Sequence, residues 1–125
     1  MLFDTDILIW VQKGNTKAAR AVETSSERTI SILTYMELMQ CPGSKDMQRI
    51  VKSFLADFNF EILPFTENIG HRAAIYIEQH SLSTGMRAGD AIIAATAVEN
   101  NIPLLTGNKK HFKGIEGLEW KMFNP

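Results

Sequence analysis

The chain has a single cysteine, Cys41, so no disulfide can close within it. A reducing compartment, by default the cytoplasm, is the expectation. Long apolar runs are missing as well. The opening stretch, MLFDTDILIWV, is interrupted by Asp4 and Asp6 and has no basic segment before its apolar residues. It falls short of the ~20 residues that cross a bilayer and does not resemble a secretory leader, so no membrane association is expected. Nor is there an excess of positive charge: 13 Lys and Arg stand against 14 Asp and Glu, a formal net charge of −1. That balance argues against a protein held on nucleic acid by bulk electrostatics. It leaves room for a nuclease, whose small acidic centre is loaded with metal and flanked by local basic side chains. Internal repeats, low-complexity tracts and long linkers are also absent.

What remains is the material of one globular domain spanning residues 1–125, with 45% hydrophobic residues. A chain of this size buries roughly two-thirds of its unfolded surface and needs no covalent staples. Apolar runs alternate with helical patterns, which predicts an α/β fold with a mostly parallel sheet. Strands are expected over 1–4, 28–33, 60–65, 102–106 and 118–123. Between them fall helices over about 6–12, from a Thr16 cap to Glu23, and after a Thr34 cap. Cys41-Pro42-Gly43 should stop this third helix. Met47, Ile50, Val51, Phe54, Leu55 and Phe58 follow helical spacing. Thr66 should open a helix to about His80, with residues 82–87 as a loop. Residues 91–98, AIIAATAV, are apolar nearly all round, as in a helix buried between layers. Residues 107–117 read as a basic loop.

Polar residues gather at the junctions. Asp4 ends an apolar strand, Glu37 opens a helix after the second strand, Asp90 starts the buried helix, and Asn108 follows the fourth strand. In a parallel α/β sheet the C-terminal strand ends share one edge, where ligands bind. Acids assembled there need a reason. Unit like charges about 4 Å apart repel by roughly 4 kcal/mol at an effective dielectric of 20, so a proton or cation must offset them. Mg²⁺ or Mn²⁺ takes hard oxygen donors and keeps several waters. Held by carboxylates, it can polarise a phosphate, activate a water and steady a leaving oxygen. Each residue also has a plain structural reading. Asp90 is either a helix cap or a ligand, and Glu37 either a capping-box partner of Thr34 or a ligand. An acid such as Asp4 is costly to bury unpaired, which favours function. Asp6 reads as a cap or a supporting group.

These segments resemble the motifs of PIN-domain nucleases. LFDTDILI is similar to the family's opening strand, Asp, Thr and helix; SILTYMEL to the second motif with its Glu; GDAIIAATA to the Asp-Ala-x-Ile-Ala-Ala segment. LLTGNKKHFKGIEGL is similar to the closing motif. The four occur in family order along nearly the whole chain. The length resembles VapC-type toxins of toxin–antitoxin pairs. The resemblance implies a three-layer α/β/α sandwich, Mg²⁺- or Mn²⁺-dependent endonucleolytic cleavage of RNA, a homodimer, and a small antitoxin that blocks the site. It makes Asp4, Glu37 and Asp90 the acidic metal ligands, with Thr5 and Thr106 as supporting hydrogen-bonders. The family's fourth acidic position falls on Asn108, which brings no charge, so one firmly held ion is expected. Arg87, Lys109, Lys110, His111 and Lys113 are candidate contacts to RNA phosphates, or else solvated surface; His111 is also a candidate general acid.

Other readings compete. FDTDI is similar to the nucleophile motif of haloacid-dehalogenase-type phosphatases, but position 8 is Leu, and GDAIIA lacks that family's second Asp. A receiver domain would need an acceptor Asp after the third strand, where this chain has FEILPF. A PIN-fold protein that binds its partners without cutting remains the alternative that Asn108 favours.

Overall fold

The computed structural model describes residues 1–40 and 43–125. Five parallel strands form one sheet: β1 (Leu2–Phe3), β2 (Thr29–Ser31), β3 (Glu61–Leu63), β4 (Leu104–Thr106) and β5 (Trp120–Met122), in the order β3-β2-β1-β4-β5. Leu2 pairs with Thr29 on one side and Leu104 on the other, so the shortest strand is the centre of the sheet. Among the described residues seven helices connect them: α1 (Thr5–Gln12), α2 (Thr16–Thr24), α3 (Ile32–Gln40), α4 (Lys45–Asp57), α5 (Glu67–Thr84), α6 (Ala88–Glu99) and α7 (Lys109–Phe112).

Strand alternation sends successive side chains to opposite faces. Leu2 and Leu104 enter the core beneath α5 and α6, with Ile69, Ala73, Ile93 and Phe112. Phe3, Ile30 and Leu105 enter the other, with Ile7 and Leu8 of α1, Val22 of α2, Leu38 of α3, and Val51 and Leu55 of α4. The result is the expected three-layer α/β/α sandwich, its sheet wholly parallel. Helix α6 is buried at Ala91, Ile93, Ala94, Ala95 and Ala97, and its small side chains let it lie close against α5.

The expected boundaries shift where side chains cap the backbone. Residues 28–33 do not form one strand. Ser31 Oγ accepts the Leu33 N–H at 3.1 Å, turning the chain into α3 from Ile32. Thr34 is therefore inside α3 and completely buried rather than its cap, and Glu37 sits in the second turn. Asn15, not Thr16, caps α2, accepting the Ala18 N–H at 2.9 Å. Helix α5 runs past His80 to Thr84, through residues expected to be loop. Thr84 Oγ1 bonds back to the His80 carbonyl in the last turn, and Gly85 ends the helix in the left-handed conformation (φ 73°). The basic loop contains α7, anchored by the fully buried Phe112. In α4 the stripe holds at Val51 and Leu55, but Ile50 is 58% exposed. Cys41 and Pro42 of the expected helix stop lie outside the described residues; Gly43 follows with φ 72°.

Candidate active site

From β1 the chain builds outward through β2 to β3, then crosses back to place β4 on the other side of β1. The strand order thus reverses between β1 and β4, and the crevice beyond the C-terminal ends of two such strands is the natural binding place of an open parallel sheet. A cleft of about 360 Å³ lies there, lined among others by Asp4, Asp6, Glu37, Arg87, Asp90 and Asn108. The structure brings all four residues expected at the junctions to one cavity and adds Asp6 to them.

Asp4 is the N-cap of α1 rather than a strand residue, with its Oδ1 accepting the Thr5 N–H at 2.8 Å. Its Oδ2 accepts from Thr106 Oγ1 at 2.7 Å. The side chain is nearly sealed, at 6% exposure. Burial pushes the Asp4 carboxyl up to about 7; the charge of Asp6 adds to this, the Thr106 and Thr5 bonds oppose it, and Asp90 contributes a little more. The site therefore favours a proton or a cation on Asp4, the condition that carboxylates crowded in low dielectric impose.

Asp6 lies in the first turn of α1. Its Oδ2 accepts the Gly107 N–H at 2.9 Å, while Oδ1 is buried and has no hydrogen-bond partner among the described residues. Burial raises its pKa as well, against the pull of the Gly107 and Ile7 N–H groups. A side chain at residue 107 would place its Cβ 2.7 Å from Asp6 Oδ2, so the close approach of this loop depends on glycine.

Glu37 reaches the cleft from α3, and Thr5 holds it there. Thr5 Oγ1 lies 2.7 Å from Glu37 Oε1 and 3.0 Å from Thr34 Oγ1. A hydroxyl has one proton, so Thr5 donates to the carboxylate and accepts from Thr34. The capping-box reading of Glu37 falls away, because Thr34 serves this pair instead of the helix end.

Asp90 is not the N-cap of α6; Arg87 is, and Asp90 stands three residues on. Its Oδ2 accepts the Arg87 N–H at 3.2 Å and lies 2.7 Å from His111 Nδ1. Half of the capping reading is therefore real, and it leaves Oδ1 free. His111 Nδ1 also meets the Asn108 side-chain amide at 2.8 Å. His111 Nδ1 thus sits between the Asp90 carboxylate and the Asn108 Nδ2. The Asn108 N–H in turn donates to Thr106 Oγ1 at 3.0 Å. Thr106 thereby joins Asp4 to the loop that carries Asn108.

Of the basic candidates, Arg87 lines the cleft and His111 touches Asp90. Lys109, Lys110 and Lys113 are exposed and do not line the cavity. Sequence reasoning missed Thr34 and Gly107. The TGN turn after β4 carried the signal for Gly107; Thr34 was visible but assigned to the wrong partner.

Among the described residues, no three acidic or imidazole side chains already close on one point as a metal cage. The donors still fit a hard cation. Among the described residues Asp6 Oδ1 is unpartnered, and the contacts of Glu37 and Asp90 each engage one carboxylate oxygen. Mg²⁺ suits such an open set, since it keeps waters and takes one or two carboxylates rather than a full protein cage.

A family model for the PIN domain matches residues 1–118. Ribonuclease VapC1 of Methanocaldococcus jannaschii is 27% identical over 130 residues, which cover 99% of this chain and 87% of that protein. In a toxin–antitoxin complex from Klebsiella pneumoniae, the matching chain is 31% identical with a TM-score of 0.79, covering 94% of this chain and 93% of that one. VapBC-1 from nontypeable Haemophilus influenzae gives 25% identity and a TM-score of 0.80, over 97% and 96% of the two chains.

Proposed function

The chain belongs to the PIN domain family, and from that premise we propose that it is a divalent-metal-dependent endoribonuclease acting as the toxin of a toxin–antitoxin pair. One observation carries this reading: Asp4, Glu37 and Asp90 line a single cleft at the β1–β4 reversal of the sheet. Likeness to a named VapC ribonuclease and to toxin–antitoxin complexes supports it. The phosphatase and receiver readings have no such support.

Asp4, Glu37 and Asp90 would hold Mg²⁺ or Mn²⁺, which when bound supplies Lewis-acid polarisation of the scissile phosphate and a water more acidic than bulk. The chain's own groups prepare the place. Thr106 and the Thr5 N–H fix both oxygens of Asp4. Thr5 Oγ1 aims Glu37. His111 and the Arg87 N–H fix Asp90, and the exposed Arg87 guanidinium offers a cation to an RNA phosphate at the mouth. Lys109, Lys110 and Lys113 offer further cations to the RNA. A small antitoxin that covers the cleft and a second copy of this chain are the protein partners proposed.

Purified protein incubated with mixed RNA and Mg²⁺ or Mn²⁺ tests the reading. Cleavage should disappear with EDTA and in Asp4→Ala and Asp90→Ala. Cleavage undiminished in both variants would show a contaminating nuclease and remove the assignment. Attack by water on phosphorus with the 3′ oxygen as leaving group leaves 5′-phosphate and 3′-hydroxyl ends; 2′,3′-cyclic phosphate ends would mean attack by the RNA's own 2′-hydroxyl and overturn the mechanism.

A further inference from the structure

Asp6 is a cleft carboxylate outside the set of Asp4, Glu37 and Asp90. It lines the same cavity as those three. One of its oxygens is fixed by the Gly107 N–H at 2.9 Å; the other, Oδ1, is buried without a hydrogen-bond partner among the described residues. A carboxylate oxygen kept out of water and unpaired is expensive, and a fold tolerates it where a cation or a bound water meets it.

The surroundings preserve this arrangement. Gly107 is the residue that lets the loop after β4 reach Asp6, since a Cβ there would stand 2.7 Å from Oδ2. The next residue is Asn108, an amide where the family resemblance implies a fourth acid. Its side-chain Nδ2 is engaged with His111 Nδ1 at 2.8 Å. The charge missing at residue 108 is thus present at residue 6, across the Asp6–Gly107 bond.

We propose that Asp6, rather than residue 108, is the fourth carboxylate of the divalent-cation site, its unpartnered oxygen acting as a donor to the ion or to its water shell. The inference rests on the nuclease reading above. It makes position 6 a ligand-set residue instead of a cap.

Mn²⁺ binding, followed by the loss of the free-ion electron paramagnetic resonance signal, tests it without recourse to activity. Asp6→Asn keeps an oxygen for the Gly107 N–H and removes the charge. It should weaken Mn²⁺ binding by about 10–100-fold, the range for residues that tune a metal site, while the protein still unfolds cooperatively. Adding Asn108→Asp to Asp6→Asn should recover most of the affinity. Gly107→Ala, which pushes on Asp6 Oδ2, should weaken binding in the otherwise native chain and have little further effect in Asp6→Asn; it also serves should Asp6→Asn not fold. Native Mn²⁺ affinity in Asp6→Asn, with loss in Asp4→Asn, overturns the inference and leaves the nuclease reading standing. Mn²⁺ binding indifferent to both Asp4→Asn and Asp90→Asn overturns the two together.

Discussion

Thr106 Oγ1 donates to Asp4 Oδ2 at 2.7 Å, joining residues 102 positions apart through buried atoms. The same hydroxyl accepts the Asn108 N–H, so one side chain ties the end of β1 to the end of β4. Thr106→Val removes both bonds at nearly constant volume. Loss of such a supporting partner typically costs about 10–100-fold in activity or metal affinity, and the orphaned groups cost about 1–3 kcal/mol of stability. RNA cleavage kinetics and urea denaturation measure the two, and Thr106→Ser should restore most of both. Unchanged kinetics in Thr106→Val would mean that the hydroxyl does not position Asp4.

The pH dependence of stability follows from Asp4. Its folded-state pKa, about 7, lies above the ordinary carboxylate value, so the folded protein binds the proton more tightly than the unfolded chain. The stabilisation is complete below the unfolded pKa, about 4, and is lost as pH rises through about 7. Asp6, raised in the same direction, adds to the slope. With EDTA present, the melting temperature should fall from pH 5 to pH 8. Asp4→Asn should flatten that fall, and Mn²⁺ should reverse it in the native protein. A melting temperature that rises over this range in EDTA contradicts the assignment.

Phe112 anchors α7, whose His111 meets Asp90. Phe112→Ala empties a fully buried ring site beneath that helix. A loss of about 3–5 kcal/mol is expected, read from the urea midpoint at constant slope. A loss below 1 kcal/mol would mean that the loop holds its place without the ring.

Lys109, Lys110 and Lys113 are exposed and follow directly on Asn108, which lines the cleft. Replacing all three with Ala should weaken RNA binding and flatten its dependence on salt. For single strands the slope of log K against log salt should shrink by about 0.7 for each phosphate contact removed. Titrations with a fluorescent RNA at several salt concentrations, in EDTA to suppress cleavage, give that slope. An unaltered slope makes the lysines ordinary solvated surface.

The layers and most elements were legible because hydrophobic period and strand alternation report directly on burial. The acids at the junctions were legible for a related reason, since a carboxylate ending an apolar strand conflicts with its surroundings unless something offsets it. Boundaries failed where a single residue decided them. Ser31 starts α3 in the middle of a β-branched run through a side-chain bond that periodicity does not register, and α5 runs on through a polar stretch until Gly85 ends it in the left-handed conformation. The pairing of Thr5 with Glu37 and of Asp6 with Gly107 was invisible for a different reason. Each joins distant segments, and local sequence has no record of which segments meet.

The central position of β1 also orders events in time. Ribosomes deliver this chain N-terminus first, so Asp4 and Glu37 emerge early, but the edge of β1 that β4 will fill stays open until nearly the whole chain has been made. Until then Asp4 has no Thr106 and Asp6 has no Gly107. The cleft is therefore completed last, when β4 docks against β1 and brings Thr106 and Gly107 to the two aspartates.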